Sequence, residues 1–433
     1  MKIDDILGKI IALSKETYIQ EPGCGFALKN QFLAGPGMSN NPFAGRLGLE
    51  WYYTQSAIRI CEDLADMVTA YDPLLKNGNK ETFCLIIRQT LEDNALNKSL
   101  FDGDSISLSR VNTLFKARII SDVVKFAKKL WYLIHGALLK TLTDWLLLYP
   151  LHRVFSVSVV LGFDGLSILK ADDGKFWAEI SVNYPDSKYW DPRTGERSDK
   201  KGYSLLGGPP PTWLAIEVNG TELGARISAE RTMRTFLSVL FSHLVETEHN
   251  LFSKSMAQPI SYVAQFPSEP SKVKFGQINA HIGRLLHPLL TDVQISSERI
   301  SEVMEWYKLN SAAGGEKSHR AEVGSHFVNY GMIADDELQQ FIQFFIALDA
   351  LFGVRGKVEN SIKEGVSKVF SSDTKWADRA ELFFDLRSEL VHGGSSSIDD
   401  WKNLAHYLKH FKSDPLDDIR LCSMVALRSY FTI

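Results

Sequence analysis

The hydrophobic period of this 433-residue chain changes twice, and that change limits the folds open to it. Apolar residues recur at helical spacing from Ile3, Ile6, Leu7, Ile10 and Ile11 onward, with further helical stretches at Tyr53 to Val68, Thr82 to Leu96 and Val111 to Leu148. Near His152 the period shortens to two, where Val154, Ser156, Ser158 and Val160 alternate with Phe155, Val157, Val159 and Leu161. Phe176 to Val182 alternates as well. Trp213 to Val218 runs through Asn219-Gly220 into a second apolar run ending at Ile227, a hairpin signal. Helical spacing resumes after Ser228, read as an N-cap, and continues to Phe252. The expected fold is mainly α, with a small antiparallel β-rich module in the middle and a helical bundle at the C-terminus. The expected divisions are a helical N-terminal region over 1–150, the β-rich module with a long loop over 151–227, a helical connector over 228–330 and a C-terminal helical domain over 331–433.

Residues 21–48 carry many Gly and Pro, but no GK[ST] ending follows, so an irregular link is expected rather than a phosphate-binding loop. Residues 191–212 read as a long surface loop and 259–271 as a Pro/Ser-rich loop. Helices are expected near Gln277 to Leu290 and Glu298 to Leu309, with 311–315 as a linker. The most apolar stretch, Leu130 to Tyr149, is broken by His135, Lys140 and Asp144, which marks a buried helix rather than a membrane span.

Composition narrows the function classes. The chain is 45% hydrophobic and 23% charged with a net charge of −4, which excludes a disordered chain and a protein that coats nucleic acid through a basic surface. The N-terminus carries Asp4 and Asp5 where a signal peptide is basic, so a cytoplasmic location with no membrane association is expected. Cys24, Cys61, Cys84 and Cys422 have neither CxxC spacing nor a His cluster nearby, so no metal site and no disulfide framework are expected.

Two apolar helices near the C-terminus carry the chemistry. In Phe341 to Phe352, the side chains of Phe341, Phe345, Leu348 and Phe352 share a face, and Asp349 stands at its margin. A carboxylate there is either the partner of a buried cation or a surface residue at the stripe's edge. In Ala380 to His392, the core face is Leu382, Phe383, Leu386 and Leu390, with Arg387 at its edge and His392 in the last turn before Gly393-Gly394. The carbonyl-rich end of a helix favours a cation at that position. An imidazole moves protons near neutral pH, and a permanently charged guanidinium holds a phosphate oxygen, so the pair suits phosphate chemistry. Spacing alone says little. Arg and His with four to six residues between them arise about once or twice by chance in such a chain, and Arg320…His326 is read as that chance match, since no apolar run and no glycine cap attend it. His406 and His410, and likewise His243, Glu246 and His249, have helical metal-pair spacing but no further ligand in sequence.

The string FIQFFIALDALFG, then an amphipathic helix ending in KVF, then LFFDLRSELVHGG resembles the ApeA-like branch of the HEPN superfamily, over about Asp335 to Ile433. Its pattern places the catalytic pair at Arg387 and His392, with Ser388 and Asp349 in support. Ser388 stands where the wider superfamily often has Asn, and Asp349 where Glu is usual. The resemblance implies an up-and-down helical domain that forms a homodimer and sets two Arg/His pairs in a shared cleft. It implies a metal-independent endoribonuclease without cofactor, acting on RNA as a toxin or in defence against bacteriophage, and answering to a phage-derived or cellular trigger. It equally implies the alternative of a non-catalytic dimerisation module that binds nucleotide or RNA. From Gly331 to Ile433 the chain holds 12 Lys/Arg against 16 Asp/Glu. A nuclease there must gather its cations locally or take them from earlier in the chain, and Lys402, Lys409 and Lys412 on the following helix are the candidate RNA contacts.

Overall fold

The computed structural model describes residues 2–20, 50–94, 123–170, 189–190, 197–198, 211–244, 262–268, 279–282, 284–286, 289 and 291–433. The expected 21–48 link, the strand at Phe176 to Val182, and Glu246 and His249 lie outside the described residues. The chain is mainly helical, with an antiparallel sheet in its middle and a helical bundle at its end. It divides into two compact units, one of 1–145 with 218–228 and the other of 146–217 with 229–433.

In the first unit α1 (Ile3–Lys15), β1 (Thr17–Gln20), β2 (Glu50–Tyr53), α2 (Gln55–Tyr71), α3 (Lys80–Asn94) and α4 (Val123–Leu139) surround one apolar core. Ile6, Ile10, Leu64, Val68, Phe83, Ile87, Ile134 and Leu138 are closed from water in it. β1 and β2 pair antiparallel, Thr17 opposite Tyr53. α2 is capped by Thr54, whose hydroxyl accepts from the Ala57 amide at 3.0 Å. His135 on α4 meets Asp72 at 2.7 Å, after the end of α2.

The helix expected over Val111 to Leu148 is corrected, because α4 stops at Leu139 and β3 (Thr143–Leu151) follows. Leu147, Leu148, Tyr149 and Leu151 are all buried, so a central strand shows no alternation and reads as a helix. Next come β4 (Val154–Phe155), β5 (Val159–Val160), β6 (Leu166–Lys170), β7 (Tyr189–Trp190) and β8 (Arg197–Ser198), then β9 (Thr212–Gly220) and α5 (Glu222–Ser242). The hairpin expected at Asn219-Gly220 is also corrected. Thr221 turns the chain into α5, its hydroxyl accepting from the Gly224 amide at 3.2 Å and from the Asn79 amide at 2.9 Å. Ser228 therefore lies inside this helix rather than at its cap.

β10 (Tyr262–Pro267) falls within the expected Pro/Ser-rich loop, and the helix expected over Gln277 to Leu290 is corrected, because β11 (Asn279–Ile282) lies there and its other described residues, 284–286 and 289, are not helical. They complete a six-stranded sheet in the order β11-β10-β3-β9-β6-β5, whose β10–β11, β5–β6 and β6–β9 pairs are antiparallel. The Tyr149 hydroxyl accepts from the amides of Leu285 and Leu286, which ties the following segment to β3. β12 (Val293–Gln294) pairs parallel with β4. The connector expected to be helical thus contains strands.

The rest is helical: α6 (Ser297–Ala313), α7 (Gly315–Ile333), α8 (Glu337–Phe352), α9 (Val358–Val369), α10 (Lys375–His392), α11 (Leu404–Phe411) and α12 (Pro415–Ser429). The expected linker at 311–315 is a tight corner, where Gly314 and Gly315 have φ of 55° and 54° and join α6 to α7 directly. α7 and α8 lie close because two glycines leave room, Gly324 against Leu351 and Gly331 against Phe344. Phe341 on α8 meets Phe383 on α10 edge to face at 6.2 Å, and Phe383 meets Tyr407 on α11 at 6.3 Å. Inside this bundle Arg379 and Asp418 form a buried ion pair at 2.8 Å. The same carboxylate oxygen accepts from Tyr407 at 2.7 Å and Ser413 at 2.6 Å. Among the described residues no helix is long and apolar enough to cross a membrane.

Candidate active site

α10 ends as its sequence demands. Gly393 takes φ of 76°, a left-handed conformation that costs a side chain-bearing residue energy, and its amide bonds the Glu389 carbonyl. The Gly394 amide bonds the same carbonyl at 2.8 Å. The chain is thereby turned off the helix immediately after His392, whose imidazole is exposed in the last turn. The segment beyond is fastened back to α10. The Asp385 carboxylate accepts from the Trp401 indole at 2.9 Å and from the Asn403 amide group at 2.8 Å.

Arg387 is half-buried, its guanidinium 5.9 Å from the centre of the Phe345 ring on α8. It stands five residues before His392, which is about 7.5 Å along the axis and well around the helix from it. The helix end therefore offers a half-buried cation and a solvent-facing imidazole at separate points. Ser388 is exposed between them.

Asp349 is half-buried at the C-terminal end of α8. Burial raises its carboxyl above the ordinary value, against the pull of Arg320 and Arg387. It stands at the edge of the apolar stripe, within electrostatic reach of both guanidinium groups. A Cβ on Gly353 would collide with this carboxylate, so glycine is required beside it.

Arg320, set aside in sequence for want of an apolar run and a glycine cap, is a firmly held cation near the site. Its guanidinium donates to the carbonyls of Gly353 at 2.7 Å, Leu351 at 3.3 Å and Asp349 at 3.4 Å, and it hydrogen-bonds Tyr430. The sequence signal for it is indirect. The last turn of α8 has no basic residue, so its open carbonyls call for a cation from another element. His326, its supposed partner in spacing, lies on another face of α7.

The lysine candidates separate. Lys402 precedes α11 and is bound to Glu389 at 2.5 Å, an interaction that raises its pKa. Lys409 lies on α11 and Lys412 just past its end, with φ of 57°; both are exposed. His406 and His410 are exposed with parallel rings 5.8 Å apart. His243 contacts Glu302 at 3.4 Å. Among the described residues no three His, Cys, Asp or Glu side chains converge to hold a metal ion. Compared with known proteins, the chain matches no family model, no curated protein and no solved structure.

Proposed function

We propose that the protein is a metal-independent endoribonuclease effector of HEPN type, cytoplasmic, acting in anti-phage defence or as a toxin. The observation that carries this reading is the end of α10. His392 is presented to solvent by a glycine-closed helix terminus, and Arg387 stands one and a half turns earlier, 5.9 Å from the centre of the Phe345 ring and within electrostatic reach of Asp349. In the reaction the RNA 2′-hydroxyl attacks the adjacent phosphorus, His392 moves the proton, and the bond to the 5′-oxygen breaks. The products are a 2′,3′-cyclic phosphate and a 5′-hydroxyl. Arg387 holds the phosphate oxygen on which charge develops. The attacking group belongs to the RNA, so the scheme calls for neither a metal nor a cofactor. The spread of Arg387 and His392 on one helix suits a homodimer, in which two such ends face one cleft. Val391, 50% exposed beside His392, adds apolar surface for that contact.

A second reading is a non-catalytic dimerisation or RNA-binding module. It is favoured by the packing of Arg387 on Phe345, which a purely structural arginine would share. Induced expression separates the two. The effector reading expects growth arrest with fragmented RNA, relieved by His392→Ala at equal levels of folded protein. Arrest that persists in His392→Ala removes this site from the account.

A further inference from the structure

A nuclease domain with more acids than bases draws on cations elsewhere in the chain, and a set of them converges where α5 packs on α7. The two helices are joined by Thr235 and Ser325, hydroxyl to hydroxyl at 2.8 Å, and by Ser238, which donates to the Ser325 carbonyl at 2.6 Å. Arg234 donates to the Asn329 side chain at 2.6 Å, and that amide donates in turn to Leu285 at 2.8 Å. The same guanidinium lies 4.9 Å from the centre of the Tyr330 ring, which is 41% exposed. Arg231, one turn earlier on α5, is exposed, and its main-chain carbonyl accepts from a ring nitrogen of His326. On α7, exposed His319, then His326, then Tyr330 form one stripe about 16 Å long, because seven and eleven residues are near-integral helical turns.

We propose that this face of α5 and α7, with Arg231, Arg234, His319 and Tyr330 set around His326, is a docking surface for single-stranded RNA. The choice of RNA among polyanions rests on the ribonuclease reading. Arg231 and Arg234 take phosphates, and Tyr330, already backed by a guanidinium, offers a flat surface on which a base stacks. A duplex keeps its base faces covered, so a single strand is the form that fits. The electrostatics agree. Burial first, and then Arg231, Arg234 and His319, push the His326 imidazole down to about 4, so cations dominate its surroundings. Glu230 is the neighbour of Arg231 on α5. Glu322 on α7 acts together with Asp164 on Tyr307. The stripe begins at His319, next in sequence to Arg320, whose guanidinium closes α8 beside Asp349 and Arg387. RNA lying along it is led toward the proposed site.

The test is fluorescence anisotropy with a fluorescein-labelled single-stranded oligoribonucleotide, using full-length protein carrying His392→Ala to prevent cleavage. Adding Arg231→Gln and His319→Gln, both exposed positions, is expected to weaken binding about tenfold or more. The slope of log affinity against log salt is expected to fall by about one for each phosphate left without its cation. Tyr330→Ala is expected to weaken binding about tenfold at unchanged salt dependence. Absence of binding by the parent protein at low salt, or unchanged affinity and salt dependence in the Arg231/His319 variant, overturns the proposal. So does duplex RNA of equal length binding as well as the single strand. Because binding is read without cleavage, cleavage that survives His392→Ala would defeat the catalytic site and leave this surface standing.

Discussion

The guanidinium of Arg320 and the carbonyl of Gly353 are 2.7 Å apart, and this contact closes a helix end that has no basic residue of its own. Arg320→Gln is expected to cost about 1.5–3 kcal/mol in urea unfolding, since it removes charged hydrogen bonds to the α8 carbonyls. Arg320→Lys recovers only part, because an ammonium cannot fork to Leu351 and Gly353 at once. A variant as stable as the parent would mean that water serves this helix end equally well.

The two helices that carry the site are legible in sequence because their apolar faces keep helical spacing to the last turn, and the glycines after His392 mark where α10 stops. Asp349 is legible as an oddity at a stripe's edge. Arg320 is not, because its partners are main-chain carbonyls about thirty residues later, and a long-range cap leaves no local pattern. β3 reads as a helix because a strand with both faces buried does not alternate. β10 and β11 escape a local reading because their pairing joins separate segments. Asn219-Gly220 has hairpin composition, yet Thr221 caps a helix there, a choice fixed by Asn77 and Asn79 in another segment.

Asp418 holds Arg379, Tyr407 and Ser413 together with one carboxylate oxygen, inside the bundle and against two aromatic rings that Arg379 covers. Asp418→Asn keeps the shape and strands the guanidinium. A loss of about 3–5 kcal/mol is expected by chemical denaturation. A double variant, Arg379→Met with Asp418→Leu, is expected to lose much less, because it leaves no buried charge behind.

His326 makes stability fall in mild acid. In the folded protein its imidazole stays neutral until about pH 4, whereas the unfolded chain takes up the proton near the ordinary 6.5. Between these values the unfolded state binds more protons, so stability is lost as pH drops from about 6.5 to about 4 and is unaffected above. The full contribution is about 3 kcal/mol. Urea midpoints at pH 7.5 and pH 5 are expected to differ less in His326→Gln than in the parent. Equal differences would show that this imidazole titrates normally in the fold.

Gly393 and Gly353 fix the site through the backbone. Gly393→Ala places a Cβ at φ of 76° and is expected to cost about 1–2 kcal/mol, with Gly393→Asn costing less. Gly353→Ala drives a methyl into the Asp349 carboxylate, so the end of α8 must shift. Both alanine variants are expected to cut RNA cleavage more than their loss of stability explains, measured at a temperature where each is fully folded by circular dichroism.

Arg387 and His392 are proposed to cleave RNA through its own 2′-hydroxyl. The most direct measurement is incubation of purified full-length protein with total RNA in EDTA, together with any trigger the cell extract supplies, followed by analysis of the fragment ends. The account predicts 2′,3′-cyclic phosphate and 5′-hydroxyl ends, with cleavage abolished in folded Arg387→Ala and His392→Ala. Fragments with 5′-phosphate ends, or cleavage undiminished in both variants, would contradict it.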